Sequence, residues 1–329
     1  MPDGVNSGLN TGPQLPLPMV QLASWFADRL STADAAITGS SLLPGGAVQH
    51  NWRIDIDDGG VPQTYVLRAG PDVPLPESLS KAAEFAILRR AYADGVPVPE
   101  PLWFCDGAAP FFVSHMCPGD ARRDQLIRAT DNVALLGDLG AALARIHTIK
   151  PPADSQPKPP AARVETLAAW VEKVDGAPFG LMAGVDWLHA HAPEATQATL
   201  VHRDFRTGNF LVHNGRLVAV LDWEFSGWGD PHEDIGWFCA ACWRGEALDR
   251  EAGGLGDRSL FYEAYMAGGA NTPNPDRVRF WEVFAHLRWA IIALQQGARA
   301  RAGAYPAWEL EEAEARVPGL LRIISDMTR

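Results

Sequence analysis

The sequence predicts an α+β fold of two lobes, a small N-terminal lobe on an antiparallel sheet followed by a larger, mainly helical C-terminal lobe. Three observations predict it. Strand alternation and hairpin turns gather between Leu42 and Ser114. Helical periodicity prevails from Asn132 onward, apart from a short strand reading near Leu200–Leu221. A chain of 329 residues, 47% hydrophobic and 21% charged, is long enough to bury two cores.

Taken in order, Met1–Pro18 mixes Gly, Pro, Asn and Ser without periodicity, and a disordered tail is expected there. Leu22, Trp25, Phe26 and Leu30 recur at helical spacing. Leu42-Leu43-Pro44-Gly45-Gly46 then reads as strand and glycine turn, and Trp52, Ile54 and Ile56 alternate as a second strand. After a turn at Asp57–Gly60, Thr64–Arg68 reads as a third strand able to close a hairpin. Glu84, Ile87, Leu88 and Tyr92 fit a helix that Gly95, Pro97 and Pro99 end, ahead of a strand at Pro110–Ser114. The N-lobe is thus assigned to 19–117 and the C-lobe to 118–329.

In the second lobe Leu135, Leu139, Leu143 and Ile146 form an apolar helical face, and the proline-rich Pro151–Pro160 is a loop. Helices are expected over Val164–Lys173 and Leu181–Ala192, and a strand-turn-strand over Leu200–Val212 and Leu217–Leu221. From Glu233 the chain reads as helical. Phe280, Val283, Phe284, Leu287, Ile291 and Leu294 lie on one side of a long helix, and a last helix ends near Met327.

Composition narrows the function. A formal charge of −12 with no Lys/Arg run disfavours nucleic acid and anionic membrane as partners. No apolar stretch approaches the roughly 20 residues that span a bilayer, and Met1–Pro18 lacks a basic segment followed by an apolar one. Cytoplasm is the expected compartment. Four cysteines, Cys105, Cys117, Cys239 and Cys242, are too few and too unevenly placed for a disulfide framework or a four-cysteine zinc site. Nothing in the sequence speaks to oligomeric state.

The chemistry is concentrated in Leu200-Val201-His202-Arg203-Asp204-Phe205-Arg206-Thr207-Gly208-Asn209-Phe210-Leu211-Val212, followed by Val220-Leu221-Asp222-Trp223-Glu224. Phosphoryl transfer needs a carboxylate near the accepting hydroxyl, and oxygen ligands that hold magnesium against the phosphates of ATP. Asp204, Asn209 and Asp222 are residues of those types. His-Arg-Asp, four residues and Asn is the spacing of a kinase catalytic loop, and Asp222 follows an apolar strand where kinases carry a metal-binding Asp. Either half alone is a weak signal; correctly ordered and a hairpin apart they specify a kinase.

These segments resemble the aminoglycoside phosphotransferase and choline kinase family, and the resemblance covers most of the chain. Leu221–Glu224 with Gly229-Asp230-Pro231-His232-Glu233-Asp234 is similar to the branch that includes kinase-like domains attached to acyl-CoA dehydrogenases. The resemblance implies a bilobal protein-kinase-like fold, with Asp204 as the catalytic base or hydroxyl-orienting group and Asn209 and Asp222 as Mg2+ ligands. It also implies that Asp234, at a helix start, anchors the catalytic loop.

The N-lobe carries weaker signals. Gly45 and Gly46 fit a turn that admits phosphate to backbone N–H groups, although a plain hairpin uses glycine as readily. Arg68 stands on the strand where kinases carry a phosphate-binding Lys, and Glu84 on the following helix where its ion-pair partner belongs. Arg in place of Lys is a departure, since a planar fork is not a point charge. Phe112–Gly119 resembles the hinge, where the backbone of His115 and Cys117 would hold adenine.

Other candidates read as structural. His202 is expected to pack and hydrogen-bond within the loop. Cys239 and Cys242 sit in an apolar run as buried thiols, and His189 and His191 at a helix end. Trp237, Trp243, Phe261, Tyr262, Trp281 and Trp289 are expected mainly in core packing, with an acceptor pocket as the other reading. The function expected is ATP- and magnesium-dependent phosphorylation of a small-molecule hydroxyl: an antibiotic, an amino alcohol or a hydroxyacyl-CoA. A nucleotide-binding pseudokinase is the alternative that Arg68 motivates.

Overall fold

The computed structural model describes residues 14–32, 35–44, 49–70, 77–301 and 312–329. Gly45 and Gly46 lie outside the described residues. The chain divides into two compact units, Met1–Arg89 with Pro99–Met116, and Arg90–Val98 with Cys117–Arg329.

The first unit is a sheet covered on both faces. Five antiparallel strands lie in the order β1 (Ala35–Leu42), β2 (His50–Asp58), β3 (Val61–Ala69), β5 (Phe111–His115) and β4 (Pro101–Cys105). The hairpin expected at Asp57–Gly60 forms: Asp58 pairs with Val61 across Gly59 and Gly60, both at positive φ, the two-residue turn that suits the twist of paired strands. Because side chains alternate along a strand, Ile54, Ile56, Tyr65, Leu67, Phe111 and Val113 all face one way. There they bury Leu22 and Phe26 of α1 (Met19–Leu30), and Leu15 and Leu17 join the same cluster.

The opposite face meets α2 (Lys81–Ala93), whose Phe85 lies 5.7 Å from Phe104 and 5.6 Å from Phe112 between ring centroids. The buried stripe of α2 is Lys81, Glu84, Phe85, Leu88 and Ala91. Tyr92, expected on that face, is exposed, because an aromatic ring one position past Ala91 points to water. Strand β4 went unread in the sequence, since Pro101 and the flanking prolines mask a run of only five residues.

The second unit is mainly helical. Its core is formed by α5 (Pro160–Val171), α6 (Phe179–His191), α9 (Pro275–Arg301) and α10 (Val317–Met327), through Val164, Leu167, Leu181, Leu188, Phe284, Leu287 and Ile324. Beside it α4 (Val133–Thr148) packs on α8 (Arg258–Ala267), and α7 (His232–Cys239) on α9. Small residues set both approaches. A Cβ at Gly140 would lie 2.7 Å from the Phe261 carbonyl oxygen, and one at Gly236 2.5 Å from Trp281 Cβ. The long helix α9 is not apolar on one side only: Glu282, His286 and Arg288 are buried as well, each with its own polar partner. No helix among the described residues is long and apolar enough to cross a membrane.

Two details differ from the sequence expectation. The short strand β6 (Thr199–Val201) pairs not with its neighbour in sequence but with β9 (Gly227–Gly229), while β7 (Phe210–His213) and β8 (Arg216–Val220) make a separate hairpin. After the turn at Ala241–Trp243 the chain is also non-helical up to α8. Thr207 Oγ1 donates to the Gly253 carbonyl at 2.6 Å, and a Cβ at Gly253 would lie 2.3 Å from the Phe238 ring, so this segment is moulded by tertiary contact.

The buried polar residues of α9 carry a pH expectation. His286 donates through Nδ1 to the Glu282 carbonyl at 2.6 Å and accepts the Ala241 N–H on Nε2 at 3.1 Å, an arrangement only neutral imidazole can make. Burial accordingly depresses its pKa from 6.5 to about 4. Below pH 6.5 the unfolded chain binds a proton that the folded chain refuses, so stability falls as pH drops, until the folded imidazole itself protonates. Buried His202 acts in the same direction. Denaturant unfolding at pH 7 and pH 5 should show a loss of about 2 kcal/mol from His286. A His286→Gln variant with the same pH slope as wild type would remove that assignment.

Candidate active site

Strand β6 ends at Val201 and β7 begins at Phe210, and the loop between them is held from beneath by the start of α7. Asp234, fully buried, accepts the backbone N–H of His202 at 2.7 Å on Oδ2 and that of Arg203 at 2.6 Å on Oδ1. His147 Nε2, 3.1 Å from Oδ2, completes its shell, and His147 Nδ1 lies 2.7 Å from the Tyr265 hydroxyl. Burial opposes ionisation of Asp234, but the hydrogen bond and charge of His147, with His202 behind them, outweigh it and hold the carboxyl below its usual range.

Arg203 sits at φ 63°, a left-handed conformation that a side-chain-bearing residue keeps only under constraint. The constraint is visible. Its N–H is taken by Asp234, its carbonyl accepts Arg288 at 2.8 Å, and its guanidinium pairs with Glu233 at 3.3 Å. Buried Arg163 reaches the other oxygen of Glu233 at 2.8 Å. His202 is a neutral post inside the loop. It accepts the Asp204 N–H on Nδ1 at 3.2 Å and donates from Nε2 to the Leu221 carbonyl at 2.9 Å, and burial lowers its pKa despite the charges of Asp234, Asp204 and Asp222.

On this base Asp204 is aimed by three donors. Oδ1 accepts Trp237 Nε1 and Arg206 Nε, each at 3.0 Å, and Oδ2 accepts Asn209 Nδ2 at 2.6 Å. The β7–β8 register, Phe210 opposite Val220, continues to a Leu221 N–H bond to the Asn209 carbonyl at 2.8 Å, which brings Asn209 and Asp222 to the same end of the hairpin. Asp222 also has positive φ, 62°. Asn209 uses its amide nitrogen on Asp204, also bonding the Asp204 carbonyl at 2.9 Å, so neither bond engages its amide oxygen. An amide oxygen and a carboxylate are hard donors, and magnesium characteristically takes few protein ligands and shares the rest of its shell with phosphate and water. The residue types fit such an ion.

In the first unit Arg68 alternates with Leu67 and so points to the α2 side of the sheet, where Nε donates to Glu84 Oε1 at 2.7 Å and Nη1 to Asn51 at 3.3 Å. Lys81, which sequence reasoning passed over, is buried one helical turn before Glu84 and pairs with its Oε2. One carboxylate thus serves both an Arg and a Lys. Where the sequence suggested a hinge, the His115 N–H donates to the Glu100 carbonyl at 3.0 Å and the Met116 N–H to the Thr64 carbonyl at 3.3 Å. The N–H of His115 is therefore engaged by the first unit itself, and Cys117 begins the next segment of the second unit.

The remaining candidates separate. Cys239 is buried and its thiol is pushed up to about 12, and burial also raises that of Cys242. His189 pairs with Glu165 at 3.3 Å and His191 stacks on Trp187 at 4.2 Å. The six aromatics are not one cluster. Phe261 and Trp281 are core, whereas Trp237, Trp243 and Trp289 pack together and the first of them touches Asp204. Sequence reasoning named Trp237 only within an aromatic set assigned mainly to core packing, and gave no role to Arg206, Glu233 or His147. Of these three, Arg206 and Glu233 carried a usable signal, through proximity to the two motifs.

Fold and motif order together define a kinase-like protein of the phosphotransferase class. The family model described as APH, phosphotransferase enzyme family, matches residues 40–281, and the chain belongs to that family. It is 28% identical over 253 residues to acyl-CoA dehydrogenase family member 10 of Mus musculus, covering 69% of this chain and 24% of that protein. Over 194 residues it is 26% identical to acyl-CoA dehydrogenase family member 11 of Homo sapiens, covering 54% of this chain and 25% of that one. The chain spans about a quarter of the length of these relatives. Among solved structures it is similar to a spectinomycin phosphotransferase in complex with ADP and spectinomycin (TM-score 0.67, 13% identity, 95% of this chain and 99% of that one). A choline/ethanolamine kinase family protein from Mesorhizobium loti superposes with TM-score 0.63 at 20% identity, over 94% and 97% of the two chains.

Proposed function

We propose that this chain transfers the γ-phosphoryl group of ATP to a hydroxyl of a small molecule. The observation that supports it most is the convergence of Asp204 and Asn209 on one braced loop, with Asp222 at the adjoining strand end. In this reading Asp204 orients the acceptor hydroxyl and takes up its proton as the new O–P bond forms and the bond from the γ-phosphorus to the β–γ bridging oxygen breaks, releasing ADP, while Trp237 and Asn209 keep the carboxylate in position. Asn209 and Asp222 are the residues that would hold Mg2+, which supplies charge neutralisation along the phosphates. One solved structure of similar fold, bound to ADP and spectinomycin, lends support to a nucleotide donor and a small acceptor.

The test is a mass-spectrometric screen of metabolite and antibiotic pools incubated with the protein, ATP and magnesium, searching for a compound that gains one phosphate. A gain that Asp204→Ala abolishes supports the reading. Nucleotide binding without any transfer would favour the pseudokinase instead.

For the donor side, Arg68→Ala should raise the KM for ATP about 10- to 100-fold, the loss expected of a hydrogen-bonded charge. Arg68→Lys should recover only part of it, because Lys81 already places an ammonium group on Glu84 and a second one lacks the fork that also reaches Asn51. Full recovery in the Lys variant would mean that charge alone suffices. No effect from either change would place the donor phosphates elsewhere.

A further inference from the structure

A second arginine lies beside the one that pairs with Asp204. Arg206 donates to Asp204 Oδ1 and lies 5.0 Å over the Trp243 ring. Next to it Arg123, at the start of α3 (Arg123–Arg128), donates through Nη2 to the Trp243 carbonyl at 2.8 Å. Its Nε is buried without a hydrogen bond among the described residues. No carboxylate pairs with Arg123 there either. The charges that act on it most strongly are those of Arg316 and Arg206, both repulsive, with weaker opposing contributions from Cys242 and Asp124. Burial and these two arginines together depress the Arg123 pKa, the opposite of what a satisfied ion pair does.

Glycine backbone approaches the pair closely. A Cβ at Gly208, whose φ is 110°, would stand 3.0 Å from Arg206 Nη1 and 3.7 Å from Arg123 Cβ. One at Gly245, φ 59°, would stand 3.2 Å from Arg123 Nη2. Two half-buried guanidinium groups of like charge, bordered by two glycines and lacking a carboxylate for one of them, are costly unless an anion joins them. Nearby arginines are accounted for differently: Arg203 shares the Glu233 carboxylate with Arg163, and Arg288 lies over the Trp237 and Phe225 rings and holds the Arg203 carbonyl.

We infer that Arg123 and Arg206 form the subsite for an oxyanion on the acceptor, so that the substrate is an alcohol bearing a carboxylate or phosphate group rather than a polycationic antibiotic. The inference rests on the phosphotransferase reading of Asp204. It gives the Arg206–Asp204 pair a role as well: an anion on the acceptor draws Arg206 toward itself and frees Oδ1 for the hydroxyl that is to react.

The test has two arms. In the first, a metabolite pool is split by ion exchange into anionic, neutral and cationic fractions and incubated with labelled ATP and magnesium. Label should enter the anionic fraction, in hydroxycarboxylates or in phosphate esters, and individual compounds of the two kinds then tell which. Arg123→Gln should raise the KM for that acceptor at least tenfold with the KM for ATP unchanged, and Arg123→Lys should restore part of the loss. Label only in the neutral or cationic fraction would overturn the inference and leave the kinase reading standing.

The second arm needs no turnover. Without nucleotide, inorganic phosphate and acetate are titrated against tryptophan fluorescence, because Arg206 faces Trp243. A saturable response that Arg123→Gln weakens tenfold or abolishes, while circular dichroism stays that of wild type, supports the subsite. Absence of any Arg123-dependent response overturns it, whatever the first arm gives. If instead this response is present and no fraction takes label, the anion site stands and the kinase reading falls.

Discussion

Asp204→Ala should lower turnover about a thousandfold while leaving the fold in place. The expectation follows from position. The carboxylate receives Trp237 Nε1, Arg206 Nε and Asn209 Nδ2, so it is aimed rather than merely present, and a positioned acid–base group contributes 10²–10⁴-fold, roughly. Its partners keep other anchors. Asn209 still bonds the Asp204 carbonyl, and Trp237 remains packed on Trp243 at 5.0 Å. Comparison of kcat and melting temperature checks this: a fall in both together would make Asp204 a structural residue. For the metal role the matching variant is Asp222→Asn rather than Ala, since Asn tolerates the positive φ of 62° and removes the charge alone. It should lose turnover comparably and respond to magnesium concentration. Turnover like that of wild type would end the ligand assignment.

Asp234→Ala should cost about 3–5 kcal/mol of stability, the range for leaving buried partners of a charge uncompensated. Three groups lose their acceptor at once: the N–H of His202, the N–H of Arg203 and the ring of His147. Arg203 would also lose part of what holds it at φ 63°, so the loop that carries Asp204 should loosen and activity should fall with stability. Urea unfolding gives the number, and a change under about 1 kcal/mol would remove the anchor role. The pH signature has a defined sign. The folded carboxyl lies below its ordinary 3.8, so its contribution is complete above that pH and fades as acid brings the folded group to its own pKa. In Asp234→Asn this acid-side loss should disappear, and persistence of the same loss would assign it to other carboxylates.

Most of the framework was legible from periodicity. Alternation at Trp52–Ile56 and Thr64–Arg68 foretold the hairpin, and the spacing of Leu135, Leu139, Leu143 and Ile146 foretold α4, because both patterns report which face is buried. Periodicity failed where burial is two-sided or local. α9 has polar groups inside because each finds its own partner, and β4 is five residues between prolines. It failed also for β6, whose pairing with β9 is set by the returning chain and not by its own residues.

The site divides in the same way. Order and spacing within His202–Asn209 and at Asp222 are properties of the chain itself, since a loop and an adjoining hairpin are local structures, and so the sequence by itself determined the class of chemistry and the residues to test. Partners distant in sequence are chosen only when elements pack. His147 on α4 reaches Asp234 on α7, Trp237 reaches Asp204, Lys81 shares Glu84 with Arg68, and Arg123 comes beside Arg206. Tertiary structure alone decided those contacts, because hydrogen bonds and charge repulsion depend on distances of a few ångströms that no one-dimensional pattern encodes.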